Sequence, residues 1–172
     1  GKNTIIKSGC VISNTIIGDN CLVQSGSILG DQGFGFTTDD KVEIIHLGNI
    51  IIGNNVQIGS NTTIDRATLD STIIGDNVRI DNLVQIAHNV IINKNTIIAA
   101  QTGIAGSAKV GSNCKIGGQV GISGHINIGD NVIIAAKSGV TKNIKNNSVI
   151  AGFPATDINV WKRSIIKLHK KI

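Results

Sequence analysis

Aliphatic residues recur at every sixth position along most of this chain. From Ile74 the series continues without a gap through Ile80, Ile86, Ile92, Ile98, Ile104, Val110, Ile116, Ile122, Ile128, Ile134 and Val140. The same spacing occurs in Ile5, Val11, Ile17, Val23 and Leu29, and again in Ile52, Ile58 and Ile64. A small or β-branched residue often follows four places later, as at Val56, Thr62, Val78, Val84, Val90, Thr96, Cys114, Val120 and Val132. This period matches neither an α-helix nor a plain amphipathic strand.

A short strand followed by a corner explains a period of six. Three such units make a triangular coil of about 18 residues, and successive coils stack as parallel sheets about 4.8 Å apart. The positions just after the aliphatic residue are often Gly, Asn or Asp, which tolerate the left-handed backbone of tight corners. The sequence therefore predicts an all-β protein, a left-handed parallel β-helix with an aliphatic interior, which is an exception to the usual right-handed crossover.

The period also divides the chain. We predict a β-helix domain over residues 1–155, with a loop insertion at 30–46 that contains the run Gly33-Phe34-Gly35-Phe36, and four extra residues between Ile64 and Ile74. Loops on a rigid scaffold often carry function, although a simple bulge is the alternative. Residues 156–172 are predicted as a carboxyl-terminal helix, capped by Thr156 or Asp157, with an apolar stripe of Ile158, Trp161, Ile165, Leu168 and Ile172.

Composition agrees with a narrow interior. The 172 residues include one Trp, three Phe and no Tyr, whereas globular cores usually draw on aromatic side chains for volume. The three cysteines, Cys10, Cys21 and Cys114, contain no Cys-x-x-Cys motif. Because Cys21 and Cys114 occupy a position of the repeat otherwise filled by Val and Thr, we expect buried thiols.

The positive charge is concentrated near the carboxyl terminus. Residues 1–141 contain nine Lys and Arg against ten Asp and Glu, and residues 142–172 contain seven against one. This basic tail is too short and too poor in aromatic residues to indicate nucleic-acid binding, but it fits an acidic partner. No aliphatic run is long enough to cross a bilayer and no leader is apparent, so we expect a soluble, cytoplasmic protein with no integral membrane segment.

Reading the coils in columns predicts a site. His88 shares a column with Gly106, Gly124 and Lys142, and His125 is one place further along, two rungs or roughly 10 Å away. A neighbouring column contains Gly103, Gly121 and Gly139, which would form a smooth trough for an extended chain. The backbone N–H of Gly106 is placed to stabilise an oxyanion next to a nucleophile that His88 activates. A histidine, an N–H donor and a trough together indicate acyl transfer from a thioester.

A lone histidine on a β-helix corner is most often a solvated polar residue, and we assign His46 and His169 to that class. His88 differs because it faces the glycine column. A second interpretation of Gly103, Gly121 and Gly139 is that they are corner residues that need positive φ.

Four segments of this sequence resemble the UDP-3-O-(3-hydroxyacyl)glucosamine N-acyltransferases of lipid A synthesis. They are Gly33–Phe36, Asn61–Arg66, the run Asp81-Asn82-Leu83-Val84-Gln85-Ile86-Ala87-His88-Asn89, and Gly121–His125. The resemblance implies that His88 is the catalytic base and that His125 is the second histidine of the site. It also places Asp81, Asn82 and Asn89 among the substrate-binding residues, together with the glycines of the trough.

The resemblance further implies a homotrimer with active sites between neighbouring prisms. The donor would be an acidic acyl carrier protein whose phosphopantetheine arm lies along the trough, and the acceptor would be a UDP-sugar, with no separate cofactor and no metal. The family normally carries an amino-terminal domain that grips uridine. This chain begins directly in coils, so we expect weaker nucleotide binding.

Three alternative functions remain open from the sequence. A UDP-N-acetylglucosamine O-acyltransferase shares the fold and the histidine, but it typically has Asp after the base and a larger helical domain, whereas this chain has Asn89. A zinc-bearing carbonic anhydrase of this fold needs three converging histidines, while only His88 and His125 lie on coils. A non-catalytic or ice-binding solenoid would show exposed threonine arrays, which the sequence does not contain.

Overall fold

A computed structural model describes residues 1–152 and 158–169 of the chain. Very short strands make up nearly all of its regular structure. In chain order they are β1 Ile5–Ile6, β2 Val11–Ile12, β3 Thr15–Ile17, β4 Leu22–Val23, β5 Ile28–Asp31, β6 Asn49–Ile52, β7 Gln57–Ile58, β8 Thr63–Asp65, β9 Ser71–Ile74, β10 Arg79–Ile80, β11 Gln85–Ile86, β12 Ile91–Ile92, β13 Ile97–Ile98, β14 Gly103–Ile104, β15 Lys109–Val110, β16 Lys115–Ile116, β17 Gly121–Ile122, β18 Asn127–Ile128, β19 Ile133–Ile134, β20 Gly139–Val140 and β21 Val149–Ile150. One helix, α1 Ile158–His169, follows within the described residues.

Up to β20 every third strand belongs to the same parallel sheet, and β21 then pairs with β19. The eight-stranded sheet runs from β1 through β4 to β21, the seven-stranded sheet from β2 to β20, and the six-stranded sheet from β3 to β18. The three sheets are the faces of a triangular prism, and Ile80 pairs with Ile98, 18 residues further along the chain. The predicted left-handed parallel β-helix is confirmed.

The predicted inward residues form one continuous core from Val23 to Val140. The isoleucines of the hexads and the small residues four places after them are buried, including Cys21 and Cys114. The free thiols therefore pack as small apolar groups, and burial raises the pKa of the Cys114 thiol.

The corner residue with left-handed backbone is the third residue after the inward aliphatic residue. Asn77, Asn95, Asn113 and Asn131 hold this conformation at one edge, and Asn89 and His125 hold it at another. The predicted left-handed corner is therefore confirmed at the third position after the aliphatic residue, whereas Gly75 and Asp76, at the first two positions of one repeat, do not have positive φ. Positive φ is found at three described glycines, Gly9, Gly26 and Gly30, and at none of the trough glycines.

The first coil corrects the predicted phase by one residue. Ile6 and Ile12, and not Ile5 and Val11, align with the buried Val23 and Leu29. The first coil is one residue shorter than three hexads, because Ile5 pairs with Leu22. Counting back six residues from Ile17 therefore reaches Val11, whereas the inward residue is Ile12. Ile5 and Val11 are exposed as a result.

Two excursions leave the prism near the same edge. One lies between β5 and β6, where Phe36 and Glu43 form an antiparallel bridge and the N–H of Ile44 donates to the carbonyl of Gly35. The other lies between β8 and β9. The two excursions bond to each other, because the N–H of Leu47 donates to the carbonyl of Thr68.

The carboxyl-terminal helix begins at Ile158 within the segment predicted as helical. Ile166 and Leu168 are exposed on this chain. The predicted capping residues Thr156 and Asp157, and the stripe residue Ile172, lie outside the described residues.

Candidate active site

His88 occupies the corner between the seven-stranded and six-stranded sheets, and its orientation is held by Asn89. Nδ1 of His88 lies 3.1 Å from Oδ1 of Asn89. The Asn89 amide is oriented by two further bonds, because Oδ1 accepts from the N–H of Thr68 and Nδ2 donates to the carbonyl of Leu69. An oxygen facing Nδ1 places a proton on Nδ1, so in the neutral ring the lone pair is on Nε2 of His88. The corner therefore presents a histidine ready to accept a proton.

Gly106 lies directly over the His88 ring, as the column of the coil predicts. A Cβ atom on Gly106 would come within 2.6 Å of Nε2 of His88, so glycine is the residue that this close approach allows. The N–H of Gly106 has no hydrogen-bond acceptor within the described part of the chain. It is available to an anionic oxygen formed beside His88.

His125 lies on the same edge, one coil above Gly106. Its N–H donates to the carbonyl of Gly106 at 3.0 Å, and its side chain is exposed. His125 thus shares the edge of His88 and Gly106, and its catalytic role stays a prediction.

The glycine column forms an open trough on the seven-stranded face. Gly103, Gly121 and Gly139 pair directly with one another, and a Cβ atom at any of the three would meet no heavy atom within 4 Å. They lie in strands without positive φ, so the reading as strained corner glycines is wrong. The trough belongs to a groove of about 920 Å³ that also includes Ala87, Ala105 and Ser123.

The trough ends in polar groups near His88. Gln85 pairs with Gly103 in the sheet and donates from Nε2 to Oδ2 of Asp65 at 3.0 Å, and it also accepts a short hydrogen bond from Thr63. Burial raises the pKa of Asp65, while the Gln85 hydrogen bond and electrostatic interaction with His88 and His46 act in the opposite direction. A half-buried carboxyl group with these partners makes Asp65 a candidate functional residue.

The Phe34 and Phe36 rings stand between the groove and a second cavity. They contact each other edge to face with centroids 5.0 Å apart, and Phe34 is 85% exposed. The second cavity, of about 550 Å³, is lined by Phe34, Phe36, Thr68 and His88. The predicted loop therefore separates an apolar trough from the pocket that reaches the histidine.

Asp81 and Asn82 lie at a different corner of the prism from His88. They follow β10 at the edge between the eight-stranded and seven-stranded sheets, where both are exposed. Oδ1 of Asp81 accepts from the N–H of Asn82, and Oδ1 of Asn82 accepts from the N–H of Ser60. Within one chain the fold does not bring them to His88.

Sequence reasoning missed two residues of this site, His46 and Asp65. His46 was assigned to the solvated histidines, yet it is buried and its ring centroid lies 5.0 Å from that of His88. That assignment is wrong because the loop between β5 and β6 folds back onto the corner. Asp65 lies in the segment Asn61–Arg66, which resembles the N-acyltransferases, but no sequence feature was a reason to assign it a catalytic or binding role. The signal that could have identified it is its place on the coil beside the column of Gln85.

Among residues 1–152 and 158–169, no group of three or more His, Cys, Asp or Glu is arranged to hold a metal ion. No helix in that part of the chain is long and apolar enough to span a membrane.

Sequence comparison finds hexapeptide repeats along most of the chain. The family described as "Bacterial transferase hexapeptide (six repeats)" matches residues 71–106 and 107–142. The family described as "Hexapeptide repeat of succinyl-transferase" matches residues 1–31 and 49–87.

Curated proteins match short segments of this chain at about 50% identity. The chain is 48% identical over 55 residues to the UDP-3-O-acylglucosamine N-acyltransferase of Rickettsia bellii, which is 31% of this chain and 16% of that protein. It is 52% identical over 46 residues to the protein of the same name from Rickettsia akari, which is 26% of this chain and 13% of that protein. The matched segments are thus a small part of these relatives.

Among solved structures, the fold is similar to that of a UDP-N-acetylglucosamine acyltransferase from Bacteroides fragilis. The TM-score is 0.75 at 22% identity, covering 95% of this chain and 65% of that chain. Similarity at this level of identity supports the left-handed β-helix and extends no further than the fold.

Proposed function

Because this chain belongs to the hexapeptide-repeat transferases, we propose that it transfers a 3-hydroxyacyl group to the 2-amino group of UDP-3-O-acylglucosamine. The donor in this proposal is the thioester of an acyl carrier protein. The observation that carries the proposal is the His88 corner, where a fixed histidine packs against Gly106 and follows Ala87, which lines the groove of the glycine trough. The local identity to the two Rickettsia N-acyltransferases supports this acceptor.

The chemistry needs one base and one oxyanion donor. Nε2 of His88 takes a proton from the amine as the nitrogen attacks the thioester carbon, and the N–H of Gly106 faces the oxyanion of the tetrahedral intermediate. Collapse of the intermediate breaks the carbon–sulfur bond, and the proton on His88 passes to the departing thiolate. The products are an amide and a free thiol, and His88 returns to its starting state.

The trough fits the donor. An acyl chain laid over Gly103, Gly121 and Gly139 would meet backbone and aliphatic atoms without a protruding side chain. The basic surplus of residues 142–172 suits an acidic carrier protein, since opposite charges steer encounter. The acceptor amine would reach His88 from the cavity behind Phe34 and Phe36.

A homotrimer is part of the proposal, and a stripe of isoleucines supports it. Ile16, Ile51, Ile73 and Ile91 stack in register on the outside of the six-stranded sheet, and Ile16 and Ile51 are exposed. Exposed aliphatic columns of this kind favour association, and closed symmetry is the usual outcome for identical chains. The stripe adjoins the His88 corner, so a neighbouring prism would approach the site. In such a trimer, Asp81 and Asn82 of a neighbouring chain would be the ones to join the site, since the fold of one chain keeps them away from His88.

The alternative is O-acylation of UDP-N-acetylglucosamine, the activity named for a protein of similar fold from Moraxella catarrhalis. The test offers both acceptors with a series of acyl carrier protein thioesters and detects products by mass spectrometry. The proposal expects an amide product from UDP-3-O-acylglucosamine and no ester product from UDP-N-acetylglucosamine. An ester product alone would replace it with the alternative.

A further inference from the structure

The loop between β5 and β6 places a second imidazole against His88, and the mechanism above makes no use of it. The side chain of His46 is 1% exposed. Its ring meets that of His88 edge to face, with centroids 5.0 Å apart and an interplanar angle of 72°. A histidine brought into the core of a site by a loop is unusual, because burial of a polar ring has to be compensated.

The hydrogen bonds of His46 leave one nitrogen without a partner. Nδ1 lies 2.8 Å from the carbonyl oxygen of Ile44, which can only accept, so Nδ1 carries the proton. Nε2 is buried and has no hydrogen-bond partner among the described residues. An apolar ring of similar size would avoid this cost, so packing energy alone does not favour an imidazole at this position.

Gly33 fixes the space between the two rings. A Cβ atom at Gly33 would lie 3.0 Å from Nε2 of His46, 3.0 Å from Cβ of His88 and 3.2 Å from Cδ2 of His88. Gly33 therefore packs against both histidines at once, and a Cβ atom here would push one or both of them by a few tenths of an ångström. Gly35 differs, because its Cβ atom would meet Cε1 of His46 at 3.0 Å and would not touch His88.

We propose that His46 and Gly33 are positioning residues that hold the His88 ring with Nε2 directed at Gly106. Asn89 holds the Nδ1 edge of His88, Gly106 leaves the space at Nε2 free because it has no Cβ, and His46 with Gly33 packs against another side of the ring. The loop thereby removes the rotational freedom that a half-buried corner histidine would otherwise have. The catalytic consequence rests on the proposed function, whereas the orientation of the ring does not.

The first test is spectroscopic and needs no substrate. Long-range ¹H–¹⁵N spectra of the histidine rings, with His88 assigned by its loss in His88→Ala, report which nitrogen carries the proton. The parent should show a single His88 ring signal set with Nδ1 protonated. His46→Ala and Gly33→Ala should shift or broaden that set, while Gly118→Ala, on another edge, should leave it unchanged. An unaltered His88 signal set in both loop variants would overturn the proposal.

The second test separates positioning from general stability. His46→Ala and Gly33→Ala should lower kcat by about tenfold or more with KM within about twofold, since misplacing a catalytic group affects the chemical step. His46→Gln, which keeps a planar polar group, should recover most of the loss, and Gly35→Ala should fall between the parent and Gly33→Ala. A full kcat in the loop variants would contradict the proposal. If the parent shows no acyl transfer, the spectra still decide the orientation, and only the proposed function fails.

Discussion

Nδ1 of His88 lies 3.1 Å from Oδ1 of Asn89, and this contact decides which nitrogen of the histidine can act as a base. The same oxygen accepts from the N–H of Thr68, while Nδ2 donates to the carbonyl of Leu69. The excursion between β8 and β9 thus orients Asn89, and Asn89 orients His88. Both polar atoms of the Asn89 amide take part in this relay, so Asn89 holds His88, and its role in binding substrate stays a prediction.

Replacing Asn89 by Leu should therefore lower kcat by about 10- to 100-fold, because the histidine loses the partner that selects its tautomer. KM for the donor should change little. Asn89→Asp keeps an acceptor for Nδ1 and should retain more activity than Asn89→Leu, although it loses the bond to Leu69. Steady-state kinetics of the two variants check this, and equal losses would mean that the oxygen at this position has no special role.

Gly139→Met should shift donor preference toward shorter acyl chains. Gly139 lies two inter-strand spacings, or roughly 10 Å, from Gly103, and each buried methylene contributes about 0.8 kcal/mol. A side chain at Gly139 enters open space and needs no positive φ, so strain should not obscure the result. The measurement is relative kcat/KM for donors differing by two carbons. A uniform loss for all lengths would show that the acyl chain does not run along the trough.

Asp65→Asn should change how stability depends on pH. Burial raises the folded-state pKa of Asp65 above its ordinary value of 3.8, so the folded chain binds this proton more tightly than the unfolded chain. The resulting contribution to stability is complete below the unfolded pKa and is lost as the pH rises through the folded-state pKa. The Tm of Asp65→Asn minus that of the parent should thus be larger at neutral pH than at about pH 4.

The exposed Asp81 provides the control for this change in net charge. Asp81→Asn should give a Tm difference that varies less with pH than that of Asp65→Asn. Equal pH dependence for the two variants would mean that burial of Asp65 is not the cause.

The isoleucine stripe predicts how the assembly can be broken. Ile51→Lys places a charge in the middle of the stripe and should convert the trimer to smaller species, measured by light scattering after size exclusion. Ile97→Lys is the matched control, because Ile97 is an outward isoleucine of the eight-stranded sheet with similar exposure, 48% against 39% for Ile51. A trimer that survives Ile51→Lys, or dissociates with Ile97→Lys, would show that the interface lies on another face.

The coil and its columns could be predicted because the six-residue period fixes both direction and register. Once Ile74 to Val140 are assigned inward, the stacking of Gly103, Gly121 and Gly139 and of His88 beneath Gly106 follows from counting. The count fails where the period does, as in the first coil, which is one residue short between Ile12 and Ile17.

The position of His46 could not be predicted, because no periodicity describes the loop that carries it. Its burial depends on the backbone bonds of Gly35 with Ile44 and of Leu47 with Thr68. Contacts between two irregular excursions are long-range and leave no pattern in the sequence.

The central claim is that His88 is the base of an acyltransferase, and one measurement tests it most directly. Mass spectrometry should follow acyl transfer from an acyl carrier protein thioester to UDP-3-O-acylglucosamine by the parent and by His88→Ala. The variant should retain the trimer and its Tm but lose about 10²- to 10⁴-fold in rate, as expected for removal of a general base. Transfer by His88→Ala within a few-fold of the parent rate would contradict the account.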